Sequence, residues 1–558
     1  MPLRIPVGRL SGRALTSVAA LTRQGPLKKA LAVMVRAELG IDAVRGLGRD
    51  ARGWVPFSLQ PRRARADHAR ASSELELPRL TGWPRSVREI TEAYRNGKAT
   101  PVTLVAKSIA GARALADRKP SLGPFLRYAE ERARHEALAS AERWARGAPL
   151  GELDGVPIAV KEEMDVAGFA TRLGTKFMSE EPAKRDSVFV ERLRAAGAIV
   201  VGQTPMTEYG LSPLGVNAHR TMPRNAHDAS RLAGGSSTGS AVAVAFGVVP
   251  LALGTDGGGS VRTPAAYNGV FGLKPTYGRI AVTGHGMPGG TSVVHFGHLG
   301  STSHELALGG DLAFGPDAGD PPSLAAPPFE RGSLVKALGR GVKDLSIGVP
   351  EAEWSRADDE VASAGKKALD ALVREGARLV PIELSLAAHA AAIGYLTIAV
   401  EARAALREVE RTHWDDLGSD LKVFLSGVDG FVADDYVDAQ RLREKLREQA
   451  QAALRAVDVI ALPTTASTAP TITDAEARSG IIDTVALDAA CRFAFLGNLT
   501  GLPAASAPVG KDGAGLPIGL QILGDAWDEA CVLQVVAHLE RVGVASSPKP
   551  RGAIDLLG

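Results

Sequence analysis

A lone serine stands directly behind three glycines in the stretch GTDGGGSVRT at residues 254–263, where Ser260 follows Gly257, Gly258 and Gly259. Glycine backbone can adopt turns that are closed to other residues, so that successive N–H groups converge on one point and bind an anion there. If Ser260 is a nucleophile, these N–H groups would stabilise the oxyanion that forms when the serine attacks a carbonyl. The apolar VVPLAL before the stretch and the ordered pattern TPAAYNGVFGLKP after it distinguish the segment from a flexible linker.

A serine hydroxyl is a weak nucleophile and therefore needs a base. Histidine is the first candidate, because four histidines follow Ser260 within 45 residues: His285, His295, His298 and His304. Lone histidines are more often surface or hydrogen-bonded structural residues, and a Ser-His-Asp triad is defined by its geometry and not by sequence order. Such a triad stays open as an alternative that only spatial proximity can support.

A second serine motif competes with this segment. The sequence GSSTG at residues 235–239 fits the G-x-S-x-G pattern, with Ser237 at the nucleophile position. The serine of such an elbow has to follow a strand, whereas the preceding NAHDASRLAG is polar and turn-like, so we interpret this match as accidental. A phosphate-binding loop is disfavoured as well, because no lysine follows the three glycines.

Lys161 is the other candidate base, because it directly follows the apolar run DGVPIAV. A lysine in such a place is commonly a surface residue whose stem lies along apolar neighbours. Desolvation can nevertheless lower the pKa of a lysine enough to make it a general base near neutral pH. Glu162 and Glu163 follow at once, and acidic neighbours oppose that lowering. In a strand, however, Glu162 points to the opposite face from Lys161, so we expect its opposition to be modest.

The surrounding sequence alternates between strand and helix patterns. Apolar runs bounded by turn residues predict strands at DGVPIAV and AIVVGQT, and the segment between them, SVFVERLRAAG, predicts a helix. The stretch GSAVAVAFGVVPLALGTD repeats a helix and a strand just before Ser260. A strand, a helix and a second strand in succession are typical of a parallel or mixed sheet with helices on its faces. We therefore expect an α/β protein with a large mixed β-sheet core, flanked by helices on both faces, and a helical N-terminal extension.

The composition is that of an ordinary globular protein. Of the 558 residues, 45% are hydrophobic and 23% are charged, and no stretch approaches the roughly 20 apolar residues of a membrane-spanning helix. The 65 basic and 62 acidic residues are spread along the chain, so nothing indicates a nucleic-acid partner. Cys491 and Cys531 lack the spacing of metal ligands, and we expect both to be buried, inert thiols.

The N-terminal region has a composition of its own. Its first 37 residues contain no acid but seven basic residues: Arg4, Arg9, Arg13, Arg23, Lys28, Lys29 and Arg36. This pattern is consistent with a targeting peptide, with a basic amphipathic helix lying on a membrane, or with a helix packed against its own protein. The charged tract QPRRARADHARASSELE follows, and we interpret residues 1–83 as an N-terminal helical extension and linker.

Considered jointly, Lys161, GGSSTGS and GTDGGGSVR resemble the amidase signature family, whose members hydrolyse or transfer carboxamides with a serine, a second serine in a cis peptide and a lysine. The order and separations agree with the family pattern, since Ser236 lies 75 residues after Lys161 and Ser260 lies 24 residues after Ser236. The similarity extends from about residue 84 to about residue 545 and includes RLRAAGAIVVGQTPMTEYG and GLPIGLQILG. It implies an amidase signature domain at residues 84–548, followed by a C-terminal tail at residues 549–558.

The resemblance implies a role for each of these residues. Ser260 would be the nucleophile that forms the acyl-enzyme, Ser236 the proton relay and Lys161 the base. Serine suits the relay, because its hydroxyl donates and accepts a hydrogen bond simultaneously. The N–H groups of the oxyanion hole would come from Gly257, Gly258, Gly259 and Ser260. The side chains of Ser237 and Arg262 would support this array. Two positions depart from the family pattern: Glu162 stands where aspartate is usual, and His298 where proline is common.

Within the family, GTDGGGSVR, TGHGMPGGT and PTTASTAPTI look most like the plant-type fatty acid amide hydrolases. This likeness implies a hydrolase that cleaves a fatty acid amide such as an N-acylethanolamine through an acyl-enzyme, without a metal or other cofactor. Three alternatives stay open. They are an amidase for short aliphatic, aryl or peptide amides, the glutaminase subunit of a tRNA-dependent amidotransferase, and a non-catalytic binding protein.

The expected partners follow from the same likeness. We expect a small-molecule amide substrate of lipid character, no nucleic acid, and a homodimer as the assembly. We expect a cytoplasmic protein that contacts a membrane peripherally through its basic N-terminal segment, because such a segment suits the collection of a lipid substrate at a membrane surface. A targeting peptide in the same segment is the alternative.

Overall fold

The computed structural model describes residues 9–22, 25–50, 59–64, 74–78, 82–287 and 292–558. Arg4 and Arg23 of the basic N-terminal set lie outside the described residues, as do parts of the charged tract and of TGHGMPGGT. Within the described residues the strands are β1 (Arg9–Ser11), β2 (Arg127–Tyr128), β3 (Pro157–Lys161), β4 (Ile199–Thr204), β5 (Leu251–Asp256), β6 (Phe271–Lys274), β7 (His295–Gly300), β8 (Ser346–Val349), β9 (Arg378–Pro381), β10 (Val459–Pro463), β11 (Ile481–Asp483), β12 (Ala504–Lys511) and β13 (Pro517–Gly524).

The α-helices of the same residues lie mostly between these strands. They are α1 (Gly12–Leu21), α2 (Gly25–Glu38), α3 (Ile41–Asp50), α4 (Val87–Arg95), α5 (Pro101–Ala116), α6 (Glu130–Ala145), α7 (Val188–Ala195), α8 (Thr238–Ala245), α9 (Arg262–Asn268), α10 (Ser303–Ala313), α11 (Ser333–Ala337), α12 (Glu351–Trp354), α13 (Asp359–Arg374), α14 (Ala390–Ala405), α15 (Arg407–His413), α16 (Ser419–Gly427), α17 (Ala433–Leu454), α18 (Asp474–Ser479), α19 (Thr484–Cys491), α20 (Ala494–Thr500) and α21 (Glu529–Arg541).

Eleven of the strands form one mixed sheet in the order β2-β4-β3-β5-β7-β6-β12-β13-β10-β8-β9. Strand β3 runs parallel to both of its neighbours, β4 and β5, whereas β5 is antiparallel to β7. Both faces of the sheet are covered. Along β3, Ile158 and Val160 pack into one core with α7, α10, α13 and α21, while Ala159 packs into a second core with α5, α6 and α8. This is the two-residue alternation of a strand, and it confirms the expected fold class.

The predicted strand, helix and strand around Lys161 are confirmed as β3, α7 and β4. All residues of β3 and β4 are buried, which explains why their sequences are apolar runs and not alternating patterns. Gly197 ends the turn after α7 with φ of +95°, and a Cβ there would lie 2.4 Å from Asp154 Cα. Only glycine fits that turn.

The N-terminal helices pack against the rest of the chain. Leu15 and Ala19 of α1, Leu31 of α2 and Val423 of α16 form one small apolar core, and β1 pairs with β11. Helix α3 packs against α17. Among the described residues, none of the helices has the length and apolar composition that crossing a membrane requires.

Candidate active site

Lys161 is the last residue of β3, and its side chain is fully buried. Its Nζ lies 2.8 Å from Ser236 Oγ, 2.6 Å from Thr255 Oγ1 and 2.6 Å from Glu163 Oε2. The hydroxyl of Thr255 donates to the same carboxylate oxygen of Glu163. Three oxygens therefore surround the amine, and one of them belongs to a serine that the sequence assigned to the same site.

Burial lowers the pKa of Lys161 from its ordinary value, because the ammonium form loses its hydration in the protein interior. The carboxylate of Glu163 opposes this shift by charge and by hydrogen bonding, and Asp256 and Glu162 oppose it less. Glu162 turns away from the amine and receives a 2.6 Å hydrogen bond from Arg220 Nη1, which agrees with its expected modest influence. The lowered pKa favours the neutral amine, which is the form that can accept a proton.

Ser236 lies two residues before α8, and the peptide bond between Gly235 and Ser236 is cis. The backbone is tightly packed here: a Cβ at Gly215 would lie 2.4 Å from the carbonyl oxygen of Gly234. Both of these glycines have positive φ, at +77° and +72°. Their lack of a side chain allows the two backbone segments to approach each other and to place Ser236 against Lys161.

Ser260 lies between β5 and α9, next to the segment that carries Ser236. Its carbonyl oxygen accepts a 3.2 Å hydrogen bond from Ser237 N, the residue next to Ser236. With 8% of its surface exposed, Ser260 is more accessible than Ser236 at 1%. Among the hydrogen bonds of the described residues, none joins the hydroxyl of Ser260 to Ser236 or Lys161. The structure thus brings the three residues together and leaves the final link between the two serines open.

The glycine run presents several N–H groups beside Ser260. Gly259 has φ of +114°, and its N–H donates to Asp256 Oδ1 at 2.7 Å. Within the described part of the chain, the N–H groups of Gly257, Gly258 and Ser260 have no hydrogen-bond acceptor. These three groups are available to an oxyanion, whereas the fourth predicted donor, that of Gly259, faces a carboxylate.

Arg262 and Ser237 hold the segments that carry these groups. Arg262 is fully buried and contacts Asp256 through Nε at 3.0 Å and Nη2 at 2.9 Å, while Asn498 Nδ2 donates to Asp256 Oδ1 at 2.9 Å. Burial alone would raise the pKa of Asp256, but the charge of Arg262 overcomes it and keeps that pKa below its ordinary value. Ser237 Oγ donates to the carbonyl oxygen of Thr255 at 3.2 Å, which ties the start of α8 to β5.

Within the described residues, no hydrogen bond connects any of the four candidate histidines to Ser260. A ring nitrogen of His285 lies 3.1 Å from Glu163 Oε1, and one of His304 lies 3.4 Å from Glu305 Oε1. A ring nitrogen of His295 lies 2.7 Å from the carbonyl oxygen of Val293, and one of His298 lies 2.8 Å from that of Leu306. Burial lowers the pKa of His298 to about 4. The arrangement therefore lacks the nucleophile–histidine contact that a Ser-His-Asp triad requires.

Sequence reasoning did not assign Thr255, Glu163 and His285 to the site. Glu163 follows β3 in a turn that is closed by a 3.1 Å hydrogen bond from Met164 N to Lys161 O, so strand alternation does not predict its contact with Lys161. The sequence carries no signal for His285 either, since it stands 122 positions after Glu163.

Comparisons with known proteins identify the family of this chain. The family model Amidase matches residues 112–533. A fatty acid amide hydrolase of Oryza sativa subsp. indica is 33% identical over 493 residues, which cover 86% of this chain and 80% of that protein. A glutamyl-tRNA(Gln) amidotransferase subunit of Anaeromyxobacter sp. (strain K) is 35% identical over 447 residues, 75% of this chain and 89% of that protein.

A solved structure is similar as well: the peptide amidase PAM in complex with the competitive inhibitor chymostatin gives a TM-score of 0.72 at 25% identity, covering 84% of this chain and 99% of that one. The family model spans most of the chain, and the rice relative exceeds 30% identity over more than two thirds of its length. The chain therefore belongs to the amidase signature family and is an amide-cleaving hydrolase.

Proposed function

We propose that this hydrolase cleaves fatty acid amides, with Ser260 as nucleophile, Ser236 as proton relay and Lys161 as base. One observation carries the catalytic part of the proposal: a fully buried lysine of lowered pKa lies 2.8 Å from the hydroxyl of Ser236, next to Ser260. Activation of a serine requires a base that touches a relay hydroxyl, and burial makes the amine of Lys161 lose its proton more easily than that of an exposed lysine.

The reaction starts when Ser260 Oγ attacks the carbonyl carbon of the amide. As this bond forms, the proton of Ser260 moves to Ser236 Oγ and the proton of Ser236 moves to the neutral Nζ of Lys161. The negative charge on the carbonyl oxygen is stabilised by the N–H groups of Gly257, Gly258 and Ser260. When the C–N bond breaks, the relay returns the proton to the leaving amine. Water then attacks the acyl ester by the same route and releases the carboxylic acid.

The relay requires one adjustment at Ser260. Since its hydroxyl is not hydrogen-bonded to Ser236, the side chain has to turn toward Ser236 when substrate enters. Catalytic hydrogen bonds that are long or absent in a free enzyme commonly form in the substrate complex. The greater exposure of Ser260 leaves room for this rotation.

An apolar cavity near the catalytic serines supports an acyl chain as the substrate group. The cavity holds about 770 Å³ not filled by protein atoms, open solvent included. Its apolar lining includes Val35, Leu39, Leu211, Phe424, Ile482 and Leu487. Leu211 directly follows Gly210, where a Cβ would lie 3.3 Å from Ser236 Oγ. The wall of the cavity and the wall of the catalytic site are thus built from one short segment.

A chain-length series of N-acylethanolamines tests the substrate. We expect kcat/KM to rise with chain length, because each methylene buried adds about 0.8 kcal/mol of binding free energy. The proposal fails if acetamide, benzamide or a peptide amide is a better substrate than every long-chain amide. Turnover of glutamine, with transfer of ammonia only in the presence of other subunits, would instead support the amidotransferase alternative. The Ser260→Ala variant is the blank for every substrate.

Assembly and location are further parts of the proposal. We expect a homodimer, which light scattering after gel filtration tests. We also expect a cytoplasmic protein that contacts membranes peripherally through α1 and α2, which co-sedimentation with anionic vesicles tests; Arg13 and Lys29 are exposed basic residues of these helices.

A further inference from the structure

The carboxylate of Glu163 joins the buried lysine to a histidine from a distant part of the chain. Its Oε2 lies 2.6 Å from Lys161 Nζ and accepts a hydrogen bond from Thr255 Oγ1, while its Oε1 lies 3.1 Å from His285 Nε2. Glu163 and His285 are both nearly buried. A continuous chain of contacts therefore runs from Ser236 through Lys161 and Glu163 to His285.

The backbone fixes both ends of this contact. Gly286 N donates to Glu163 O at 2.8 Å, Asp165 N donates to Gly284 O at 2.8 Å, and Met164 and His285 form an antiparallel bridge. The two segments are thus paired like short strands. The pairing holds the backbones of Glu163 and His285 close together, so that their side chains can meet.

We propose that Glu163 and His285 are positioning residues that orient Lys161 and set its protonation, so that its lone pair points at Ser236. This inference rests on the proposed roles of Ser260, Ser236 and Lys161.

The orientation follows from counting protons. A neutral lysine amine has two N–H groups and one lone pair, and three oxygens surround it. The carboxylate of Glu163 has no proton to give, and the single proton of Thr255 is given to Glu163. Both of these oxygens can only accept from the amine, so they take its two N–H groups. The lone pair is left for the third neighbour, the hydroxyl of Ser236, which is where the relay needs it.

His285 holds the carboxylate in place. Its Nδ1 lies 3.1 Å from Met287 N and 3.2 Å from Met287 O. The neutral ring accepts from the N–H and the charged ring donates to the carbonyl, so Nδ1 has a partner in either state. In both states Nε2 carries a proton and donates it to Glu163 Oε1. One carboxylate oxygen is thereby tied to His285, and the other is directed at the lysine.

The charge of Glu163 also governs protonation. The acids facing Lys161 are Glu163, Asp256 and Glu162. Asp256 is paired with Arg262, and Glu162 is paired with Arg220 on the other side of the strand end. Glu163 is the acid in direct contact with the amine, so its negative charge stabilises the ammonium form most strongly. Its removal therefore makes the lysine lose its proton at lower pH.

The test measures the rate of fluorophosphonate labelling of Ser260 against pH in the full-length protein. For Glu163→Gln we expect the midpoint of the acidic limb to fall by about one to two pH units, as for loss of a contacting opposite charge. We also expect the plateau to fall about tenfold or more, because an amide N–H competes for the lone pair. Glu162→Gln is the matched control: it removes the same charge from the adjacent residue, and its midpoint is expected to move by less than about 0.3.

Two histidine variants separate positioning from packing. His285→Gln keeps an N–H that can reach Glu163, and we expect its plateau to stay within about threefold of the wild type. His285→Leu fills similar space without a donor, and we expect its plateau to fall about tenfold or more. Equal plateaus for the two variants, at equal melting temperatures, would contradict the proposed role of His285.

An unchanged midpoint in Glu163→Gln, or an equal shift in Glu162→Gln, overturns the role of Glu163. If Glu163→Gln does not fold, Glu163→Asp decides: it keeps the charge on a shorter stem, and we expect a lower plateau with the midpoint retained. A failure of the proposed mechanism looks different, because Lys161→Ala would then label at the wild-type rate. If labelling is lost in Lys161→Ala but is unchanged in Glu163→Gln, this inference is refuted and the proposed mechanism is not.

Discussion

Replacing Leu39 by tryptophan would shorten the apolar cavity from the side of the N-terminal helices. Leu39 is half-buried, directly follows α2 and lines the cavity together with Val35 of that helix. Tryptophan has about six more side-chain heavy atoms than leucine, so it excludes about three to six methylene groups from a closely packed cavity. At about 0.8 kcal/mol per methylene, the loss is about 2.4 to 4.8 kcal/mol of binding free energy. At about 1.4 kcal/mol per factor of ten, kcat/KM for a long-chain amide should fall between about 50-fold and 3,000-fold.

The assay compares the hexadecanoyl and acetyl amides of ethanolamine. For the acetyl amide we expect kcat/KM to change less than about twofold, because we expect an acyl group of two carbons not to reach Leu39. Leu150→Trp is the matched control, since Leu150 is 58% exposed and the same substitution there leaves the cavity unchanged. An equal loss for both substrates, or no loss for the hexadecanoyl amide in a folded variant, would refute the assignment of this cavity to the acyl chain.

Three further predictions concern the catalytic residues. Ser260→Ala should abolish fluorophosphonate labelling and reduce turnover by about 10³-fold or more, while its melting temperature stays within a few degrees of the wild type. Labelling of this variant would show that another residue is the nucleophile. The acylation rate of the wild type should rise with pH, with a midpoint below 10.5, because the neutral amine is the active form and burial lowers the pKa of Lys161. Lys161→Ala should lose this pH dependence, and its acylation rate at neutral pH should fall about 100-fold or more. Arg262→Lys should lower the free energy of unfolding by about 3 kcal/mol in denaturant titrations, because one ammonium cannot replace the two contacts of the guanidinium with Asp256. An unchanged midpoint of unfolding would count against a stabilising role of Arg262.

The strands and helices around Lys161 could be predicted from sequence because their signals are local, whereas the roles of Lys161, Ser236 and Ser260 were inferred from the family resemblance and stay predictions. The apolar runs that became β3, β4 and β5 are short enough to identify and are bounded by glycine or polar turns. The oxyanion donors stay a prediction, and sequence could not show that the N–H of Gly259 faces Asp256, since the direction of each N–H depends on how the turn winds around that residue. The place of Glu163 could not be predicted from strand alternation, because the residue follows β3 in a turn. The place of His285 could not be predicted because it depends on the pairing of two loops that only the folded chain brings together.

The position of the site follows from the topology of three parallel strands. Strands β4, β3 and β5 are neighbours that run in one direction, so their carboxyl ends meet at one edge of the sheet. Lys161 is the last residue of β3 and Thr255 the second-last residue of β5, and Lys161 Nζ lies 2.6 Å from Thr255 Oγ1. Helix α8 leads into β5 and runs back along the sheet, which places its first residues, and hence Ser236, at the same edge. Ser260 follows β5 at that edge. Ser236 stands 75 positions after Lys161, yet the two side chains are 2.8 Å apart, because the fold returns the chain to the same edge of the sheet.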